Sequence, residues 1–154
     1  MKRIFSLFST VILLFTLCIN VTATDRSSNT YIEYFNDGSY ITTTISEVSS
    51  ISVYSSNSKS GTKTTTYTGS DGDVKWEATL RGTFTYNGTS ATCTSSSITH
   101  SSKDSNWKIT SATASKTNNK AIGDITAKQY AFGIPMDTVN ITIILTCSAN
   151  GTLS

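Results

Sequence analysis

From Val74 to Tyr86 the chain alternates strictly between two kinds of residue. Val74, Trp76, Ala78, Leu80, Gly82, Phe84 and Tyr86 form one set, and Lys75, Glu77, Thr79, Arg81, Thr83 and Thr85 form the other. A helix would scatter the apolar set around its circumference, whereas a strand gathers it on one face. The segment is therefore a half-buried strand, and the rest of the chain must supply its sheet neighbours and a second layer over its apolar face. Gly82, the one gap in the apolar set, is expected to mark a bulge or a close backbone approach. The pattern returns near the C-terminus. Val139, Ile141, Ile143, Leu145 and Cys147 alternate with Asn140, Thr142, Ile144 and Thr146, which points Cys147 into the core.

Serine and threonine together make up 53 of the 154 residues. That richness can signal a disordered, glycosylated stalk, but stalks are proline-rich and this chain has a single proline, Pro135. Threonine is β-branched and suits the solvent face of a strand, so the composition reads as one-sided sheet. Turn signals punctuate the chain at short intervals. Asn36-Asp37-Gly38 lies between Tyr31–Phe35 and Tyr40–Ile45, and 58–61 separates Ser49–Tyr54 from Thr62–Thr68. Residues 69–73 precede the long strand and Asn87-Gly88 follows it, before a weaker strand over Ser90–Ile98. His100 to Asn106 leads to a strand over Trp107–Ala114, and 116–120 leads to one over Ala121–Phe132, closed by a turn over Gly133–Asp137. The expectation is an all-β fold, an antiparallel β-sandwich of eight or nine strands, with a small barrel as the alternative. No helix is expected outside the leader.

Lys2 and Arg3 precede an apolar run from Ile4 to Ile19, and Val21-Thr22-Ala23 supplies a small-residue cleavage pattern. This is the layout of a secretory signal peptide over residues 1–23, leaving 24–154 as one exported domain. A retained anchor fits less well, because the run is shorter than the ~20 residues a spanning helix needs. A lipid-modified Cys18 fits less well too, because Leu17 before it is not small. The formal charge of +2 resides in Lys2 and Arg3, so the exported domain carries equal numbers of basic and acidic side chains. Nothing in that balance suits nucleic acid or an anionic membrane. Loss of Cys18 leaves Cys93 and Cys147, and two cysteines in an exported domain most simply form one disulfide, with buried free thiols as the alternative.

Three segments taken together resemble a known group: Gly82–Cys93 (GTFTYNGTSATC), Leu145–Ser154 (LTCSANGTLS) and Tyr34–Tyr40 (YFNDGSY). They are similar to small exported proteins of Firmicutes to which no activity is assigned. The resemblance spans most of the chain after the leader, both cysteines included. It implies a Gram-positive bacterial source and an extracellular home, and it supplies no activity.

Chemistry-bearing residues are sparse. His100 is the only histidine, and Ser101 and Asp104 beside it belong to the same expected turn, whereas triad members converge from separate elements. One histidine and two paired cysteines cannot furnish a zinc ligand set. Asp71-Gly72-Asp73 lacks the later carboxylates of a calcium loop. Glu77 is expected to meet cross-strand charges, and no carboxylate pair stands out as acid and nucleophile. Asn87, Asn140 and Asn150 head glycosylation sequons that matter only in a eukaryotic host.

No catalytic residue, cofactor or metal ligand is therefore expected. Four aromatics near strand ends, Trp107, Tyr31, Tyr40 and Tyr67, are the candidates for a ligand-facing surface. The alternate threonines Thr62, Thr64, Thr66 and Thr68 form a hydroxyl row of the kind that faces ice or glycans, but without a fixed repeat elsewhere the row reads better as a solvated strand face. The expected function is surface contact with cell wall, glycan or protein by a secreted, non-enzymatic β-domain. The alternative is a secreted antibacterial or pore-forming polypeptide.

Overall fold

The structure, a computed structural model, describes residues 28–48 and 57–154. The leader and the strand expected over Ser49–Tyr54 lie outside the described residues. Eight strands follow in order: β1 Ser28–Tyr34, β2 Tyr40–Val48, β3 Ser58–Thr68, β4 Val74–Tyr86, β5 Ala91–Ser102, β6 Trp107–Thr117, β7 Lys120–Ala131 and β8 Ile134–Thr146. They form two antiparallel meanders, a five-stranded sheet ordered β1-β2-β3-β4-β5 and a three-stranded sheet ordered β6-β7-β8. The two sheets pack as a sandwich and do not close into a barrel.

The alternation in β4 does what its period requires. Trp76, Ala78, Leu80 and Phe84 are wholly buried and meet Ile125, Ala127, Ile143, Leu145 and Cys147 from the smaller sheet in one core. Gly82 is a close-approach glycine: a Cβ there would lie 2.7 Å from the Phe84 ring and 3.1 Å from the Ala121 methyl. The register between β4 and β5 shifts immediately after it, between Thr83 and Phe84. The extra residue is Thr94 on β5, while β4 keeps its alternation and Phe84 faces inward with Gly82 by parity.

The smaller sheet covers only part of the larger one. β3, β4 and β5 pack against its strands, and β2 lays Ile41 and Ile45 into the shared core. β1 pairs only with β2 and is exposed along its whole length, so it is a wing that overhangs the sandwich.

Two local expectations need correction, and one element is new to the structure. His100 stands on strand β5 opposite Ala78, not in a turn, because pairing with β4 carries β5 on to Ser102. The β7–β8 connection is a two-residue loop, Phe132-Gly133, and Pro135 lies inside β8 opposite Tyr130, beside a register shift. An edge strand tolerates a proline at such an irregularity. Finally, residues 147–154 fold back: Thr146 and Ser154 exchange backbone hydrogen bonds of 2.8 and 3.0 Å, and Leu153 is buried in the core.

Candidate functional site

Position parity sends Thr62, Thr64 and Thr66 of β3 to the outer face of the five-stranded sheet, while Thr65 and Tyr67 point inward. Strand register then extends the hydroxyl row sideways. Thr30 stands opposite Thr44, Thr44 opposite Thr64, Thr64 opposite Thr79 and Thr79 opposite Thr99, so one threonine from each strand forms a ladder across the whole sheet. Hydroxyl oxygens are 3.2 Å apart at Thr30–Thr44 and 3.0 Å apart at Thr64–Thr79. The row on one side runs Ser28–Ser46–Thr62–Arg81–Ser97, and the row on the other runs Ile32–Thr42–Thr66–Glu77–Ser101. Neighbouring strands lie ~4.8 Å apart and same-face residues ~6.7 Å apart along a strand. The face is a two-dimensional hydroxyl lattice. Thr68 does not belong to it: opposite Tyr40 and beside a register shift to β4, it is buried. Glu77 faces Thr66 and Ser101 and meets no cross-strand charge.

The four candidate aromatics divide. Tyr67 and Trp107 are each only 4% exposed and belong to the core, contrary to expectation. Tyr67 stacks on Trp76 at 5.6 Å with 16° between ring planes, and Trp107 lies 5.2 Å from it in a tilted contact. Phe35 packs on Tyr67 with ring centroids 6.2 Å apart, and the turn after β5 is tied to Lys75, the neighbour of Trp76, by the Lys103 and Asp104 amides. Tyr31 is 59% exposed on the wing. Tyr40 pairs with Tyr34 in register on the outer face, ring centroids 5.4 Å apart, and Tyr34 is 70% exposed. Tyr34 is not among the four candidates, yet it shares the parity of Thr30 and Ile32 on β1. The Tyr34–Tyr40 pair borders the hydroxyl lattice.

At the turn end of the sandwich, an open groove of about 410 Å³ is lined by Phe35, Asp37, Tyr67, Asp137 and Ile141, among others. It brings two carboxylates to one cleft. Asp37 accepts hydrogen bonds from the Ser39 hydroxyl at 2.6 Å and the Ser39 amide at 3.0 Å, which hold it below the usual carboxylate range. A proton donor needs the opposite shift. Nearby, the buried Lys75 ammonium donates to Asp71 at 2.5 Å and to Asp104 at 3.2 Å, tying the β3–β4 turn to the β5–β6 turn. The Lys75 pairs hold these two turns together. Among the described residues, no three His, Cys, Asp or Glu side chains gather as a metal site. Nor is any helix there long and apolar enough to cross a membrane.

The expected disulfide is not formed in this structure. Cys93 and Cys147 are buried free thiols, donating to the carbonyls of Ser95 at 3.3 Å and Ser148 at 3.4 Å. Burial pushes both thiols up from their ordinary value, and Cys147 also feels Cys93 as a nearby ionisable group.

What the fold and these surfaces define is a two-sheet antiparallel sandwich with an overhanging wing and a hydroxyl-covered outer face. No family model matches the chain, and neither a curated protein nor a solved structure is matched by it.

Proposed function

We propose that this protein is an exported, non-enzymatic β-domain that works by surface contact, and that the outer face of its five-stranded sheet is the contact surface for a neutral glycan. The observation that carries the reading is the continuous ladder Thr30–Thr44–Thr64–Thr79–Thr99. Each hydroxyl both donates and accepts, and hydroxyls already paired with one another polarise their neighbours toward an incoming polyol. The face carries few charges, which suits an uncharged ligand. The Tyr34–Tyr40 pair offers an apolar ring surface at its border, as sugar faces require.

Export rests on the leader over residues 1–23, and the extracellular, Gram-positive setting on the resemblance to small exported proteins of Firmicutes. In that setting we propose that Cys93 and Cys147 join, closing the domain covalently.

Pull-down on isolated cell-wall fractions and on insoluble neutral polysaccharides tests the reading. Replacing Thr44, Thr64 and Thr79 together by valine keeps shape and removes the hydroxyls. The triple variant should fold and lose at least about tenfold in retention, since each lost hydrogen bond is worth ~1 kcal/mol. Equal retention of variant and wild type would remove the sheet face from consideration.

A further inference from the structure

We infer that the β7–β8 hairpin tip is a membrane-docking element that seats its apolar side chains in the surface of a lipid bilayer. This stands on residues apart from the hydroxyl lattice and does not depend on it.

Phe132 is fully exposed at the tip, and Ile134 and Met136 beyond it are 62% and 66% exposed. Isolated exposed apolar residues are ordinary, but three large ones within five positions at a protrusion are not. The tip projects past the rest of the smaller sheet. β6 begins at Trp107 opposite Gln129, so residues beyond Tyr130 have no neighbour on that side.

The backbone supplies an independent observation. Phe132 has φ +52° and Gly133 φ +80°. A two-residue hairpin loop with both φ values positive favours Asn-Gly or Asp-Gly, and a bulky residue at the first position is strained. A side chain with no partner in the fold thus occupies a position that its own backbone disfavours. Strain of that kind persists where something other than folding selects the residue.

The shape and surroundings favour lipid over a protein partner. Phe132, Ile134 and Met136 stand open to solvent around a two-residue loop, so an occupant must cover a protruding tip, which fluid hydrocarbon does without a matching cavity. The hairpin closes at Ala131–Ile134, leaving a short loop, and Pro135 brings no N–H to be satisfied in an apolar medium. Behind the tip, the Lys108 ammonium lies 5.3 Å from the centre of the Tyr130 ring. Tyrosine and lysine are the side chains that settle at headgroup level while an apolar segment enters the bilayer. The turns at this end carry Asp37, Asp71, Asp73 and Asp104, and Asp137 stands on β8 opposite Gln129. Docking therefore draws on apolar burial and needs no anionic lipid.

The test is co-flotation of the chain, in the form its host exports, with vesicles of phosphatidylcholine alone or mixed with anionic phosphatidylglycerol. Wild type should float with both, with no gain from the anionic lipid. Phe132→Asn should reduce partitioning by about tenfold or more, the size expected when one phenylalanine side chain is returned to water. The same variant should melt at a higher temperature, because asparagine accepts the left-handed backbone that phenylalanine resists. Ile134→Ser with Met136→Ser, which leaves the loop backbone alone, should also weaken flotation. Failure of wild type to float with either vesicle overturns the proposal, even if Phe132 then proves to enter a protein pocket. So does undiminished flotation of Phe132→Asn, or a fall in its melting temperature.

Discussion

The backbone amide of Cys93 donates to the carbonyl of Asn118 at 2.7 Å, and that of Cys147 donates to the next carbonyl, Asn119, at 3.0 Å. Two cysteines far apart in sequence thus dock on a single hairpin turn, the one between β6 and β7. Asn119 tightens the arrangement by donating its side-chain amide to the Cys147 carbonyl at 2.7 Å. Cys93 lies on β5 and Cys147 directly follows β8, and these two strands belong to different sheets.

Closure of these thiols in the exported protein has a direct readout. The denatured, non-reduced chain should be lighter by two hydrogens than the reduced one, and equal masses would exclude the bridge. Reduction should lower stability by up to ~4 kcal/mol on the chain-entropy account. The reduced protein should then acquire an alkaline weakness. Burial raises both folded thiol values above the ordinary 9.0, so the stabilising contribution is complete below pH 9 and is lost as pH climbs through the folded values. Urea midpoints of the reduced form should therefore fall from pH 9 upward, while the bridged form shows no thiol-linked decline.

Lys75 predicts a dependence on pH at the other extreme. Its hydrogen bond holds Asp71 below the usual 3.8, and the same bond raises Lys75 above 10.5. A depressed carboxylate stabilises above its unfolded value and ceases to do so as pH falls through its folded one. Asp71 is largely solvent-facing, so the Coulomb part is small and screened by salt. Lys75→Met should lower the melting temperature by several degrees, mainly by untying two turns, and should blunt the loss of stability below pH 4. Thermal melts from pH 2 to 7 at low and high salt would check this. A variant with the unaltered acid profile would show that the ammonium does not set it.

Much of the fold was legible because a period of two leaves little choice. The apolar set of β4 became the centre of the core, and Gly82 lies where the ring of Phe84 needs the space of a missing Cβ. The turn residues located the β1–β2 hairpin, whose Gly38 takes φ +86°. Other features depend on pairs that no single segment reveals. The threonine ladder exists only through the register of five strands, each of which shows an ordinary polar face by itself. Tyr67 and Trp107 sit near strand ends in sequence, yet the stack they form with Trp76 is created by two strands of one sheet and one of the other. Pro135 invited a turn in place of a strand, because proline is tolerated in a strand only where a neighbour or bulge leaves its missing donor unneeded, and that is a tertiary fact.

The C-terminal fold-back was the least visible element, since Ser148 to Ser154 reads as a polar tail around one leucine. Leu153 pairs with Cys147 in an isolated bridge and lies directly against Gly61, where any Cβ would collide with its Cδ1. The turn that returns it uses Gly151 at φ +82°, with the Tyr86 ring packed on that glycine. Leu153→Ala should cost ~2–5 kcal/mol, the range for a buried leucine. Gly61→Ala should destabilise as well, since the new methyl and Leu153 claim the same space. In the double variant that methyl enters the room vacated by the leucine, so the combined loss should be smaller than the sum of the two single losses. Urea midpoints at constant slope for the four proteins measure the coupling. Strict additivity, or a Leu153→Ala midpoint equal to that of wild type, would mean that the tail does not close the core.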